Sequence, residues 1–137
     1  MKLFIADDHA MIRNALALMI NAQPDMEVVG DAADGNEVFV KAEQLPVDVL
    51  LMDISMPPGE NGLQTTRRLK EAHPEIKVIV LTMHDDETYV REALAAGADG
   101  FILKSANEET LLTGIRQVQR GERFFDGYEE AQLHQLV

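Results

Sequence analysis

The sequence of 137 residues predicts an α/β fold in which a doubly wound parallel sheet of five strands is covered by five helices. Five short apolar segments are near-continuous rather than alternating, which is typical of strands buried on both faces. The segments between them carry apolar residues at helical spacing. Because strands alternate with helices along the chain, we expect right-handed crossovers and helices on both faces of the sheet.

The predicted elements follow one another in a regular order. The segments that predict strands are KLFIA (2–6), EVVGD (27–31), DVLLMD (48–53), KVIVLT (77–82) and GFILK (100–104). The helical stripes are Ile12, Ala15, Leu16, Met19 and Ile20 in the first helix, Val38, Ala42 and Leu45 in the second, Leu63 and Leu69 in a weaker third at 62–72, Val90, Ala93 and Leu94 in the fourth, and Leu111, Ile115 and Val118 in the fifth. Each strand is therefore followed by one helix.

Proline and glycine mark the ends of the predicted helices. Pro24, Pro46 and Pro74 follow three of them, where a proline stops continuation. Gly97 stands where the fourth helix needs a left-handed residue at its C-terminal end. These positions agree with the helices that the apolar stripes predict.

The pattern changes after Gly121. Residues 122–137 contain aromatic and acidic side chains and a short helical pattern, but no partner strand is predicted for them. We therefore predict one domain over residues 1–121 and a linker over 122–137, in a chain that is a fragment of a longer protein.

Composition limits the classes of partner. The formal net charge is −12, and there is no cysteine. Nucleic-acid binding draws much of its affinity from Lys and Arg that neutralise phosphates, so these residues are poor candidates for DNA contact. The lack of cysteine excludes disulfides and thiolate metal sites, and no segment is long and apolar enough to span a bilayer. We expect a cytoplasmic protein without membrane contact.

Polar residues stand at the carboxyl ends of four predicted strands. These residues are Asp7, Asp8, Asp53, Thr82 and Lys104. Each alone has an ordinary explanation, since an Asp pair often caps a helix, a threonine serves a turn and a lysine is solvated. Ligands of open α/β sheets bind at the carboxyl ends of the strands, so the joint pattern indicates a shared site.

The charges of this group indicate what it binds. Three carboxylates within a few ångströms repel one another, and Lys104 alone does not balance them. Oxygen ligands favour Mg²⁺ or Ca²⁺, and so few ligands leave room for waters and a phosphate, which suits Mg²⁺. Such a metal can bring a phosphoryl group to a carboxylate nucleophile, Asp53, while Thr82 and Lys104 bind its outer oxygens.

Four motifs that contain these residues, ADDH, LLMDISMP, VLTMHDD and GADGFILKS, resemble the receiver domain of bacterial two-component response regulators. The details ADDHAMIR and GFILKS are most similar to the NarL/FixJ subfamily, whose output is a LuxR-type helix-turn-helix DNA-binding domain. The resemblance covers about residues 1–121. It implies a flavodoxin-like fold with strand order 2-1-3-4-5, and a DNA-binding output domain beyond the linker.

The resemblance also implies roles. Asp53 would accept a phosphoryl group from a phosphohistidine on a sensor histidine kinase, or from acetyl phosphate. Mg²⁺ would be bound by Asp8, Asp53 and the backbone carbonyl of Ser55, with Asp7 acting through water. The protein would catalyse only its own phosphorylation and dephosphorylation, and so would not be an enzyme that acts on another substrate.

Further residues are expected to switch or tune the site. Thr82 would move toward the phosphoryl group while Phe101 swings inward, which would favour a homodimer, either through the face of the fourth helix, fifth strand and fifth helix or through the first and fifth helices. Ser55 and His84 occupy positions that in the receiver family control access of water to the acyl phosphate, and Met83 is a possible gate. For His84, an ordinary exposed loop residue is an equally good interpretation.

Three features depart from the family pattern. PPGENG makes the distance from Asp53 to Gly62 one residue longer than usual, Ser105 follows Lys104 where many receivers have proline, and Phe101 lacks the hydroxyl of the common tyrosine.

Two smaller predictions concern other residues. His9 is expected to pack at the start of the first helix, and Met11, Met19, Met52 and Met56 are expected to fill the core.

Three alternatives stay open. A small Mg²⁺-dependent phosphatase of the haloacid dehalogenase type also forms a phospho-aspartate, but it uses an Asp-x-Asp pattern and a cap domain, whereas here the Asp pair is adjacent. A binding module that needs no phosphorylation would have no use for all five site residues. A stand-alone phosphorelay receiver would share the chemistry and lack the output domain.

Overall fold

The computed structural model describes residues 1–56 and 61–136, and within them strands and helices alternate. The strands are β1 (Lys2–Ala6), β2 (Glu27–Ala32), β3 (Val49–Asp53), β4 (Lys77–Thr82), β5 (Gly100–Leu103) and β6 (Phe124–Phe125). The helices are α1 (Ala10–Asn21), α2 (Gly35–Gln44), α3 (Gly62–Ala72), α4 (Glu87–Ala95), α5 (Glu108–Gln119) and α6 (Glu130–Leu136). The fold class is therefore the predicted α/β class. None of the helices in this described part is long and apolar enough to cross a membrane.

The sheet is parallel and has the order β2-β1-β3-β4-β5-β6. Its first five strands confirm the flavodoxin-like order, and β6 is a sixth strand that the sequence did not predict. The register pairs Asp53 with Leu81 and Thr82 with Leu103, so the carboxyl ends of β3, β4 and β5 lie side by side.

The core is split by the sheet, because successive side chains of a strand point to opposite faces. On β1, Leu3 and Ile5 belong to the cluster under α1 and α5, whereas Phe4 belongs to the cluster under α2 and α3. A third cluster lies beneath α4 and includes Val90 and Phe101. The near-continuous apolar character of the strands follows from this double burial.

Three of the described helices, α2, α3 and α5, begin at a side-chain cap. Asn61 and Gln64 form a reciprocal capping box at the start of α3, with both side-chain hydrogen bonds at 2.9 Å. Asp34 and Asn107 cap α2 and α5 in the simpler way, by accepting a backbone N–H. Gly97 has φ of 88° after α4, as the sequence predicted for a left-handed residue there.

Two positions of α1 that were predicted to face the core are wrong. Met11 is 85% exposed, and Ala15 of the predicted stripe is exposed too. The side of α1 that packs on the core is formed by Leu16, Ala17, Met19 and Ile20, and Met11 lies on a different side of the helix. The methionines of the sheet, by contrast, fill the core as predicted, and Met52 is fully buried.

The residues after Gly121 also differ from the sequence prediction. Far from lacking a partner strand, Phe124 and Phe125 form β6 and pair with β5. Leu133 of α6 is 1% exposed in the same cluster as Phe125. The pattern was missed because a strand of two residues gives no periodicity to detect. The assignment of 122–137 as a linker toward another domain stays a prediction.

Candidate functional site

The carboxyl ends of the strands bring together residues that are far apart in sequence. Asp7 follows β1, Asp53 ends β3 and Thr82 ends β4, and each is less than 5% exposed. Lys104 follows β5 and is half-buried. Asp53, Thr82 and Lys104 line one cleft of about 820 Å³. Buried polar groups of this kind must be paired, so their contacts show how the site is built.

Lys104 connects the two buried carboxylates. Its Nζ lies 2.9 Å from Oδ2 of Asp7 and 3.2 Å from Oδ2 of Asp53. Burial disfavours the charge of Lys104, but the hydrogen bond from its ammonium to Asp7 and the charges of Asp53 and Asp7 outweigh that effect and raise its pKa. Lys104 is therefore held as a cation between two acceptors.

Asp53 is only partly compensated by this contact. Burial of its carboxyl raises its pKa, and the neighbouring charge of Asp7 adds to the rise, while Lys104 and the backbone N–H of Ser55 oppose it. That N–H donates to Oδ1 of Asp53 at 3.3 Å, and Ser55 itself is exposed at the cleft. The carboxylate thus has unused acceptor capacity facing the cleft.

The backbone around Asp53 is closely packed against the start of α3. Gly62 N donates to the Ile54 carbonyl at 2.7 Å. A Cβ added to Gly62 would lie 2.0 Å from the Asp53 carbonyl oxygen, so only glycine fits at this position. The sequence analysis missed this role. The Asn61-Gly62 dipeptide was a possible signal, since it begins a helix directly after the loop.

Carboxylates at the same edge fit a divalent cation. Ligand atoms of Asp7, Asp8, His9 and Asp53 all lie within 4.8 Å of one another. Asp8 Oδ1 is buried and has no partner with hydrogen-bond geometry in the described part of the chain, although Nδ1 of His9 lies 2.9 Å from it. Three carboxylates and the Lys104 ammonium leave two negative charges uncompensated, which a divalent cation would neutralise. The residues present therefore fit the metal that the sequence predicts.

His9 was expected to pack at the start of α1, and it is the N-cap residue of that helix. Its Nδ1 also lies 2.9 Å from Oδ1 of Asp8 and 3.2 Å from Oδ1 of Asp7, while its side chain is 64% exposed. His9 is thus a neighbour of the acidic group, a contact that the sequence analysis did not anticipate.

The loop after β4 forms the other wall of the cleft. The hydroxyl oxygen of Thr82 accepts a hydrogen bond from the backbone N–H of His84 at 3.0 Å. The His84 ring is stacked on Tyr89 of α4, with centroids 4.8 Å apart and planes 12° apart. Met83 is 73% exposed and lines the same cleft. The three residues that the sequence singled out here therefore face the space beside Asp53.

Phe101 lies on β5, where the register pairs it with Val80 of β4. Its ring is 2% exposed and stacked on Phe125, with centroids 5.9 Å apart and planes 8° apart. The ring therefore occupies an inward position. The predicted swing between two positions stays a prediction, and the effect of the longer loop concerns residues 57–60, which lie outside the described residues.

Comparison with known proteins identifies the family. The family model described as the response regulator receiver domain matches residues 3–116. The chain belongs to this family. Among its curated relatives, the oxygen regulatory protein NreC of Staphylococcus haemolyticus is 50% identical over 126 residues, which cover 92% of this chain. The chain spans 58% of the length of that relative.

Solved structures agree with the receiver fold. A two-component response regulator of the LuxR family from Aurantimonas sp. SI85-9A1 has a TM-score of 0.88 at 25% identity, covering 98% of this chain and 95% of that one. A LuxR-family DNA-binding response regulator from Staphylococcus aureus has a TM-score of 0.80 at 30% identity, covering 86% and 98%. Both of these neighbours are LuxR-family response regulators, and the family match favours a signalling protein over the phosphatase alternative.

Proposed function

We propose that this receiver domain is a phosphorylation-dependent switch in which Asp53 is the phospho-acceptor. The observation that carries the proposal is the juxtaposition of Asp53 with Lys104 at 3.2 Å and with Thr82 in one cleft, beside an acidic group suited to a divalent cation. Asp53 is buried among these groups but faces the cleft, as a carboxylate nucleophile requires.

The proposed reaction is a phosphoryl transfer. A carboxylate oxygen of Asp53 attacks the phosphorus of a kinase phosphohistidine or of acetyl phosphate, and the P–N or P–O bond breaks as the new P–O bond forms. The electron pair leaves with the imidazole, which takes a proton, or with acetate. Hydrolysis reverses the state: water adds to the phosphorus, inorganic phosphate leaves, and the carboxylate is regenerated.

Four groups would hold a Mg²⁺ ion: Asp8, Asp53 and the Ser55 carbonyl directly, and Asp7 through water. When bound, the cation neutralises charge that develops on the phosphoryl oxygens. Lys104 already lies between Asp7 and Asp53 and would turn toward a phosphoryl oxygen with little movement. Asp7 thereby positions the ammonium, in addition to its role toward the metal.

Thr82 and the residues after it would respond to the new group. Phosphorylation adds negative charge and strong acceptor oxygens. The Thr82 hydroxyl, which accepts from His84 N in this structure, is then drawn to donate to the phosphoryl group. Phe101 belongs to the same proposed switch, while Ser55, Met83 and His84 are proposed to set how easily water reaches the acyl phosphate.

The context of the domain is part of the proposal. We infer a sensor histidine kinase as phosphoryl donor, a cytoplasmic location and a homodimer formed on phosphorylation. DNA binding and control of transcription would come from an output domain after the linker, because this chain has a formal net charge of −12. Because the NreC relatives are named oxygen regulatory proteins, oxygen is the first stimulus to test.

The test is intact-mass measurement after incubation with acetyl phosphate and Mg²⁺. The expected result is a gain of one phosphoryl group, which Asp53→Asn and removal of Mg²⁺ with EDTA both abolish. Asp85→Asn, at an exposed carboxylate on the cleft-side loop, is the matched control and keeps the gain. A gain that survives in Asp53→Asn places the acceptor elsewhere. Repeated turnover of a generic phosphate ester would instead support the phosphatase alternative.

A further inference from the structure

The C-terminal segment, residues 122–136, is bound against the edge of the sheet. Phe124 N donates to the Asp99 carbonyl at 3.1 Å, and Asp126 N donates to the Phe101 carbonyl at 2.8 Å. The segment therefore continues the sheet by backbone hydrogen bonds at the residue that carries the proposed switch side chain, Phe101.

Side chains on both sides of β6 fix the segment further. Gln117 of α5 donates from Nε2 to the Arg123 carbonyl at 2.9 Å. Arg123 in turn pairs with Glu130 at the start of α6. These contacts hold the chain on either side of β6, so that the segment follows one path from α5 to α6.

The two phenylalanines of β6 point to opposite faces of the sheet, as strand geometry requires. Phe124 packs into the cluster under α1 and α5, where a Cβ on Gly114 would lie 2.8 Å from its ring. Phe125 packs on the α4 side against Phe101 and is 2% exposed. The same strand therefore contains one aromatic ring that touches the proposed switch and one that does not.

The cluster around Phe125 extends to the phosphorylation site. It includes Ile54, which directly follows Asp53, and it continues through Phe101 to Leu133 of α6. Protein interiors are close-packed, so a displaced side chain requires its neighbours to adjust. Because the Phe101 and Phe125 rings are stacked, an outward turn of Phe101 removes the stacking partner that Phe125 has in this cluster.

We propose that segment 122–136 covers the surface formed by α4 and β5 of the same chain. We further propose that Phe101 couples the phosphorylation of Asp53 to the binding of this segment. The proposal rests on the proposed phosphorylation of Asp53. A phosphoryl group that draws Thr82 toward it holds Phe101 inward, and the inward ring holds Phe125 and the residues after it. The segment in turn determines the path of the chain toward any following domain.

Hydrogen exchange of the complete 137-residue chain tests the coupling, because exchange reports local opening. Beryllium fluoride with Mg²⁺ is the phosphoryl analogue, and EDTA gives the reference state. We expect the amides of Phe124 and Asp126 to exchange at least fivefold more slowly with the analogue. Unchanged or faster exchange in a chain that binds the analogue would overturn the coupling.

A matched pair of variants separates the coupling from general stability. Phe125→Leu removes the stack on Phe101 and should reduce the effect of the analogue to less than twofold. Phe124→Leu makes the same change on the other face and should keep it. By reciprocity, Phe125→Leu should also weaken binding of the analogue by the factor lost in exchange. Equal loss in both variants would show destabilisation alone and would contradict the proposal.

The outcomes also distinguish this inference from the function on which it rests. Intact mass after acetyl phosphate treatment is measured on the same samples. A mass gain without a change in exchange overturns the coupling and leaves the switch chemistry standing. Absence of both a mass gain and analogue binding overturns the proposed function, and the coupling with it.

Discussion

The two edges of interest in this sheet are held together by different forces. At the carboxyl ends of the strands, Asp7, Asp53 and Lys104 form ion pairs in which one ammonium serves two carboxylates. At the β5–β6 edge, Phe101 and Phe125 are held by packing, and both are 2% exposed. At the charged edge the carboxylates of Asp7 and Asp53 repel each other, which lowers the stability of the fold. At the aromatic edge the packed rings bury apolar surface, which raises it. Substitutions at the charged edge should therefore change the chemistry and can relieve repulsion, whereas substitutions at the aromatic edge should lower stability.

The largest effect is expected at the aromatic edge. Phe125→Ala should lower the free energy of unfolding by about 3 kcal/mol, because a buried phenylalanine is replaced by a cavity. Thermal unfolding should show a fall in Tm of about 10 °C. Gln135→Ala, at an exposed position of α6, is the control and should change stability by less than about 0.5 kcal/mol. A loss below about 1 kcal/mol would mean that the segment adds little stability, and the contrast between the edges would fail.

Lys104→Met tests the charged edge. The rate of phosphorylation by acetyl phosphate should fall about 100-fold, the scale for loss of one group that stabilises developing charge. Intact-mass time courses measure this rate, and thermal unfolding checks that the variant is folded. Lys77→Met makes the same change at the first residue of β4, at the end of the sheet away from the cleft, and should keep the rate. Equal rates in the two variants would remove Lys104 from the chemistry.

Asp53→Asn should stabilise the protein, because it removes a buried carboxylate that Asp7 repels. The folded-state pKa of Asp53 is raised, so ionisation of this group lowers stability as pH rises through that pKa. In EDTA at pH 7 we expect a gain of about 1 kcal/mol, shrinking toward acidic pH where Asp53 is protonated in both states. Urea unfolding between pH 4 and pH 7 measures the difference. A gain that stays constant over this range would exclude the electrostatic cause.

The smallest effect is expected at the rim of the cleft. His84→Ala removes a ring that is stacked on Tyr89, and water should reach the acyl phosphate more easily. We expect the half-life of the phosphorylated form to shorten about threefold, which corresponds to about 0.7 kcal/mol in the barrier to hydrolysis. Loss of mass after removal of acetyl phosphate measures the half-life, and His134→Ala in the C-terminal segment is the control. An unchanged half-life would assign His84 to an ordinary loop position.

The sequence predicted the charged edge better than the aromatic one, for physical reasons. Polar residues after buried strands stand out against apolar surroundings, and parallel strands bring their carboxyl ends to one edge. Asp7, Asp53, Thr82 and Lys104 could therefore be assembled from local patterns alone. The position of Gly97 followed in the same way, because it depends on residues that are near in sequence, whereas the strand order came from the resemblance to the receiver family.

The features that the sequence did not predict depend on contacts between distant residues. The pairing of β6 with β5 requires the chain to return after α5, and two phenylalanines carry no periodicity that would show it. The constraint on Gly62 arises from the approach of α3 to the Asp53 carbonyl. Exposure of Met11 depends on the rotation of α1, which a stripe of five residues defines only approximately.

The seating of β6 has a consequence for protein engineering. A fusion joined directly after Gly121, the boundary that the sequence pattern indicates, would discard Phe125 and Leu133 and leave the Phe101 ring facing water. A junction placed after residue 136 keeps the aromatic edge intact and retains the native exit direction of the chain. Chimaeric sensors built from this receiver should therefore carry residues 122–136 as part of the input module rather than as replaceable tether.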